Sequence, residues 1–318
     1  MKKHIKVMVS LLVVMIVVVG QSMVPCYVSG QVKKLTQQEM FGNYKPVSVD
    51  ADKTFGPKAG KQIKVFVLSG QSNMGGHGAS KDLDPALQQG NDRILMFEDG
   101  KWQPLRPLKR TFGPEIAFAL TMAKAWPNET IGIVKQAKGG TGVLAWHPQW
   151  TKEQADRTGD AKKGNLWLEL TNKVEPAITA VDCELKGFVW MQGGADMRNE
   201  ELGKEYLQNL SALVLGLRQE FKVPNLPFVL GSYRDGGAPE DLSGMKEQVL
   251  KMGGRKKGSY YVLQAQYEAE QELKPANMVP LRDLQRWPKN VHYDTRGHMD
   301  LGRLLAEGYL ELTSSSNK

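Results

Sequence analysis

Four short polar segments carry residue types and spacings that could do chemistry. The first is Leu68-Ser69-Gly70-Gln71-Ser72-Asn73-Met74-Gly75-Gly76, where an apolar run ends in a serine on a glycine-flanked turn. A serine held there meets substrate, and the N–H groups of a following helix can face a developing oxyanion. Taken alone, the same residues also suit a capped helix start. The second segment is Ala137-Lys138-Gly139-Gly140-Thr141-Gly142. It lacks the spacing and the Lys-Ser/Thr ending of a nucleotide phosphate loop, while its paired glycines let backbone come close to a ligand. In the third, Val189-Trp190-Met191-Gln192-Gly193-Gly194-Ala195-Asp196, an apolar run delivers Gln192 to a turn. The fourth, Asn290-Val291-His292-Tyr293-Asp294-Thr295-Arg296-Gly297, stands before the last helical pattern. Four polar loops at strand or helix ends could converge on one cleft.

The other conspicuous residues each have a plainer reading. His298 fits the first turn of the last helix, and His77 and His147 could line a cleft, but no His-Glu-x-x-His spacing marks a metal site. Asp294, Asp283 and Asp196 are candidate acids near these segments, although acids beside turns usually cap them. Trp146 and Trp150 border a long polar connection, where an exposed indole would stack on a sugar ring and a buried one would serve the core. Trp146, His147, Gly139 and Asn73 are the candidate substrate contacts. Phe112 and Glu115 flank Gly113-Pro114 and read as structural.

Positioning these segments requires strands that end at one edge. Short β-branched or aromatic runs at 63–69, 94–97, 130–137, 187–192 and 227–233 alternate with helical patterns, which predicts an α/β fold with a parallel sheet covered on both faces. The run 260–266 reads as a sixth strand or an edge piece. Helices are expected at 115–126 behind Pro114, at 202–221 from the spacing of Leu202, Tyr206, Leu210, Leu213, Leu217 and Phe221, and through Leu301, Leu305 and Tyr309 at the end. The connection from His147 to Asn165 is long and polar, as functional loops often are. In such sheets ligands bind outside the carboxyl ends of the strands.

The 318-residue chain has an ordinary globular composition and a formal charge of +8. Lys2, Lys3 and Lys6 precede an apolar run from Val7 to Val19 and then small and polar residues to Gly30, the order of a secretory signal peptide. The apolar run is shorter than the roughly 20 residues a span needs, which favours cleavage over an uncleaved anchor. Removing 1–30 takes those three lysines and no acid, so +8 less 3 leaves +5. Cys26 goes too, leaving Cys183 with no intrachain partner and the character of a core or edge residue. The run Arg255-Lys256-Lys257 lacks the neighbouring pattern a nucleic-acid site needs. The expected organisation is a signal at 1–30, an extended arm at 31–60 and one domain at 61–318, secreted or periplasmic, with no stable membrane span after cleavage and no nucleic-acid partner.

Gly70-Gln71-Ser72-Asn73-Met74, Phe112-Gly113-Pro114-Glu115, Gly139-Gly140-Thr141, Trp190-x-Gln192-Gly193 and Val291-His292-Tyr293 with Leu301-Gly302 stand in the order found in SGNH hydrolases. Over about residues 61 to 313 the chain resembles their sialate O-acetylesterase-like group, which includes the acetylxylan esterases of carbohydrate esterase family six. The resemblance implies a three-layer, flavodoxin-like α/β/α sandwich around a five-stranded parallel sheet, and no cofactor or metal. It implies Ser72 as nucleophile and His292 as base. The Ser72 and Gly140 N–H groups and the Gln192 amide would form the oxyanion hole, with an acetylated glycan or sialic acid as substrate. Two carboxylates of the pattern are missing. Lys289 occupies the place of the aspartate three residues before the histidine, and Gly194 stands where glutamate is frequent. Loss of the orienting aspartate in a comparable triad costs about 10⁴ in turnover. The alternative reading is therefore a non-catalytic carbohydrate-binding relative.

Overall fold

The carboxyl end of the first strand is fixed by how its neighbours run. The computed structural model describes residues 60–232 apart from 108, residues 257–315 apart from 282, and residues 39, 45, 55–57 and 247. The expected signal peptide lies outside these residues, as do most of the arm and of the Arg255-Lys256-Lys257 run. The main elements in chain order are β1 (Ile63–Gly70), α1 (Ser72–Gly75), β2 (Ile94–Glu98), β3 (Lys101–Pro104), α2 (Glu115–Ala125), β4 (Thr130–Ala137), α3 (Leu166–Thr179), β5 (Cys183–Met191), α4 (Tyr206–Glu220), β6 (Phe228–Ser232), α5 (Ser259–Glu272), β7 (Ala276–Pro280) and α6 (Thr295–Ser315).

The strands form one sheet in the order β3-β2-β4-β1-β5-β6-β7, parallel throughout except for the β2/β3 hairpin. The five expected strands make its contiguous centre. The expected count of five is corrected to seven, because an antiparallel strand and a parallel one extend the two edges. Both edge strands escape pattern reading, since Lys101–Pro104 and Ala276–Pro280 lack a β-branched run and end in proline, a residue sheets accept at edges. The expected strand at 260–266 is corrected to the middle of α5. Its buried positions Ser259, Val262, Leu263, Gln266 and Ala269 follow a helical period that the run Tyr260-Tyr261-Val262-Leu263 conceals.

Alternation along β1 assigns each side chain to a layer. Phe66 and Leu68 face α2 and α6, where the Phe66 ring meets Phe118 and Tyr309 edge-on at 5.2 and 4.9 Å. Val65 and Val67 join the opposite core with Leu170 and Val174 of α3, Leu210 and Leu213 of α4, and Val262 of α5. The chain moves from β1 to β4 on one side and then to β5 on the other. Their carboxyl ends diverge around β1, the place where open α/β sheets hold ligands.

At that point the backbones crowd together. Gly70 has φ +145°, and a Cβ on it would collide with the Met191 carbonyl. The Gln71 N–H donates to the same carbonyl at 2.9 Å, and the Lys138 N–H donates to Gly70 O at 3.0 Å. Only glycine satisfies both the dihedral and the approach. Gly70→Ala is expected to cost about 3 kcal/mol or more in denaturant unfolding, from backbone strain plus overpacking. A loss under about 0.5 kcal/mol, the range of neutral surface changes, would contradict this close approach.

Candidate active site

Ser72 is the first residue of α1, directly after the extended Gln71. Its N–H has no carbonyl one turn earlier to receive it, as at any helix start. The side chain is partly exposed, whereas Asn73 and Met74 beside it are buried. The turn is braced from below by Lys135 of β4, whose Nζ donates to Gly75 O at 2.9 Å and pairs with Glu115 at 2.7 Å. Glu115 also accepts the Gly113 N–H at 3.0 Å. Gly76 runs against the backbone of Phe112 and Gly113 so closely that no side chain would fit. The Phe112-Gly113-Pro114-Glu115 segment thus supports the serine turn.

The glycine loop after β4 passes beside the serine, and a Cβ on Gly139 would lie 3.7 Å from Ser72 Cβ. Beneath this loop lies a set of buried polar groups. Gln192 Nε2 donates to Thr141 O at 2.7 Å and to Asp196 Oδ2 at 2.6 Å. Asp196 Oδ1 accepts the Val143 N–H at 3.1 Å, and Asp160 Oδ2 accepts the Gly142 N–H at 2.7 Å. The Trp146 indole N–H reaches Thr141 Oγ1 at 3.1 Å. Lys163 pairs with Asp160 at 2.8 Å and donates to Gly139 O at 3.0 Å. Burial pushes the Asp196 carboxyl up to about 7, the nearby Asp160 adding to the effect, against the hydrogen bonds from Gln192 and Val143.

The histidine loop is tied to the serine turn by Asn73, whose Oδ1 accepts the Tyr293 N–H at 3.2 Å. The His292 N–H donates to Asn290 Oδ1 at 3.1 Å, and its carbonyl accepts the Trp287 N–H at 3.1 Å. The His292 ring lies flat on His77, with centroids 3.7 Å apart and planes 13° from parallel. His77 is fixed through its backbone. Its N–H donates to His298 Nε2 at 2.9 Å, and its carbonyl accepts the Trp287 indole N–H at 2.9 Å. Burial lowers the proton affinity of His292, and burial together with His292 lowers that of His77. His298 is fully enclosed and pushed down to about 3 by burial first, then by Lys135, His77 and His292.

Several residues singled out in the sequence have other tasks in the fold. Trp146 is wholly buried, packed edge-on against Trp190 at 5.5 Å, which corrects its expected place against substrate. Both Gln192 amide hydrogens are spent on Thr141 and Asp196, so the residue holds the glycine loop and has no free donor for an oxyanion. Asp196 lies beneath that loop. Asp294 caps α6, its Oδ1 accepting the Gly297 N–H at 2.8 Å, and Asp283 is exposed. Among the described residues no carboxylate is hydrogen-bonded to His292. Lys289 is exposed at φ +55° in the turn closed by Asn290 N–H to Trp287 O. His147 Nδ1 accepts the Gln149 N–H, Asn73 serves as the tether, and Gly194 stands beside the Gln71 amide. Cys183 opens β5, its thiol pushed up to about 12 by burial and then Asp182, which leaves it unreactive. Lys135, Asp160 and Lys163 gave no sequence signal beyond ordinary charge, because the loop and turn groups they hold, Gly75, Gly142 and Gly139, are distant in the chain.

Residues 62–311 match the family described as carbohydrate esterase, sialic acid-specific acetylesterase. The chain is 24% identical over 272 residues to a probable carbohydrate esterase of Arabidopsis thaliana, covering 78% of this chain and 90% of that one. An Arabidopsis thaliana crystal structure superposes with a TM-score of 0.61 at 23% identity, over 79% of this chain and 98% of the other. NanS superposes at 0.55 and 16% identity, over 82% and 99%. A carbohydrate acetylesterase from Xanthomonas citri superposes at 0.54 and 17% identity, over 79% and 57%.

The three histidines set a pH dependence of stability. The folded His298 refuses a proton until about pH 3, whereas an unfolded histidine takes one near 6.5. Between these values the unfolded chain binds more protons, so His298 costs stability as pH falls, by up to about 1.4 kcal/mol per pH unit. His77 and His292 act in the same sense, and Asp196, raised to about 7, acts in the opposite one. Denaturant unfolding from pH 6.5 down to about 4 is expected to show a steeper loss for wild type than for His298→Gln, which keeps an acceptor for the His77 N–H. Equal slopes would contradict a neutral buried His298.

Proposed function

From its membership of the carbohydrate esterase, sialic acid-specific acetylesterase family, to which this chain belongs, we propose that the protein removes O-acetyl groups from a carbohydrate through an acyl-enzyme on Ser72. The observation that carries this reading is the serine turn itself. Ser72 opens a helix at the carboxyl end of the central strand, the Gly139-Gly140 backbone runs alongside, and the His292 loop is tied to the adjacent Asn73.

In the proposed mechanism Ser72 Oγ attacks the acetyl carbonyl while neutral His292 takes its proton. The N–H groups of Ser72 and Gly140 hold the oxyanion. The carbon–oxygen bond to the sugar then breaks, and the leaving hydroxyl collects the proton from His292. Water attacks the acetyl-serine by the reverse proton path, releasing acetate. Gln192 contributes by fixing the loop that carries Gly140. The acetylated substrate is a glycan or a sialic acid. The basic, apolar, small-residue order of 1–30 supports export, and no helix among the described residues is long and apolar enough to cross a membrane.

Lys289 favours a second reading, a carbohydrate-binding relative without turnover, because no acid among the described residues is hydrogen-bonded to His292. The exposure of Lys289 weighs against this, since a solvated lysine does not bury a charge in the site.

Purified wild type is expected to release acetate from an O-acetylated sugar, and Ser72→Ala to lose that activity with its thermal midpoint unchanged. Equal release by the two proteins would overturn the nucleophile. Lys289→Asp is expected to change kcat by less than about tenfold, as suits a base held by other means. Aspartate tolerates the left-handed backbone there. A much larger gain would mark the natural chain as a crippled esterase and favour the binding reading.

A further inference from the structure

Among the described residues no acid is hydrogen-bonded to His292, yet its ring lies in a defined plane. What touches it is the face of His77, 3.7 Å away and nearly parallel. His77 is itself locked without using its ring. Its backbone N–H is bound by His298 Nε2 and its backbone carbonyl by the Trp287 indole, while the Trp287 N–H takes the carbonyl of His292. The anchors come from α6, from the loop before it and from the turn after α1, so three separate elements converge on one ring stack. His298 is buried and neutral, and could hardly serve this purpose if it were not an acceptor on that side.

We propose that His77 is the positioning residue of this site, its imidazole face fixing the plane of His292 and shielding it from water. The inference rests on the esterase reading for its kinetic consequences only. Stacking supplies the ring-holding part of an orienting acid's task while touching only a face of the ring, so neither ring nitrogen is consumed by it. It contributes no hydrogen bond, so an aromatic ring of any kind at 77 should serve. The charged and titratable groups around the stack are His298 and Lys135, with Glu115 paired to the lysine. A positive charge on either imidazole opposes one on the other. Covering one face also disfavours the charged form of His292, in the direction in which burial lowers its proton affinity.

The test compares wild type with His77→Ala, His77→Asn and His77→Phe. Because the anchors of His77 are backbone groups, all three are expected to keep a thermal midpoint near wild type. For acetate release, the Ala and Asn variants are expected to lower kcat by about 10- to 100-fold with KM within about twofold, whereas Phe restores kcat to within about threefold. The His292 ring protons, followed by NMR, report the same contact without turnover. Their titration midpoint is expected to rise toward the ordinary 6.5 in Ala and Asn and to stay low in Phe. An unchanged midpoint in folded Ala or Asn protein would overturn the proposal, as would a Phe variant as impaired as Ala. If wild type releases no acetate, the esterase reading fails, while the NMR comparison still decides the role of His77.

Discussion

The arrangement around Ser72 depends on a layer of buried polar groups that hold one backbone loop. Asp196 and Asp160 take the N–H groups of Val143 and Gly142, and Gln192 takes the carbonyl of Thr141. Burying two carboxylates side by side is costly unless each is hydrogen-bonded. Here each has specific partners, and Asp160 also pairs with Lys163. A loop so held keeps its place beside the serine and the direction of its glycine N–H groups, as the proposed oxyanion role requires. Its rigidity comes from Gln192 and Asp196, just after β5, and from Asp160 and Lys163 on the connection between β4 and α3. The catalytic edge is therefore built by three segments that the sheet brings together.

The same logic operates on the other side of the serine. Gly70 lets β1 and β5 approach until only backbone fits between them, and that approach aims the chain into α1. Lys135, paired with Glu115, takes the carbonyl at the end of this short helix. A four-residue helix has little stability of its own. It persists because its two ends are bound by β4, by the Phe112-Gly113 backbone and, through Asn73, by the loop that carries His292.

Much of this was legible in the sequence because it is written in local patterns. The β-branched runs Ile63-Lys64-Val65-Phe66-Val67 and Thr130-Ile131-Gly132-Ile133-Val134 gave the central strands, and Pro114 marked the start of α2. Glycine beside Ser72 marked the turn. The edge strands were hidden because their pairing comes from neighbours rather than from pattern, and the helical period of 260–266 was masked by the run Tyr260-Tyr261-Val262-Leu263. The site residues divide in the same way. Asp196 reads as a turn cap because Val143, its partner, is 53 positions away. Trp146 resembles an exposed platform until Trp190 is seen against it. His77 stands five residues after Ser72 and 215 before His292, and no single-segment pattern could pair their rings.

Among the described residues no acid is hydrogen-bonded to His292, so the proposed activation of Ser72 must rest on stacking, on the His292 loop and on burial. A fluorophosphonate tests that requirement without a choice of sugar. An activated serine oxygen forms a bond to phosphorus as the phosphorus–fluorine bond breaks and fluoride leaves, and the adduct is stable. Peptide mass mapping of the treated protein is expected to find one adduct per chain, on Ser72, lost in His292→Ala and suppressed by an acetylated sugar. A folded wild-type protein that remains unlabelled at Ser72, or carries the adduct elsewhere, would contradict the account.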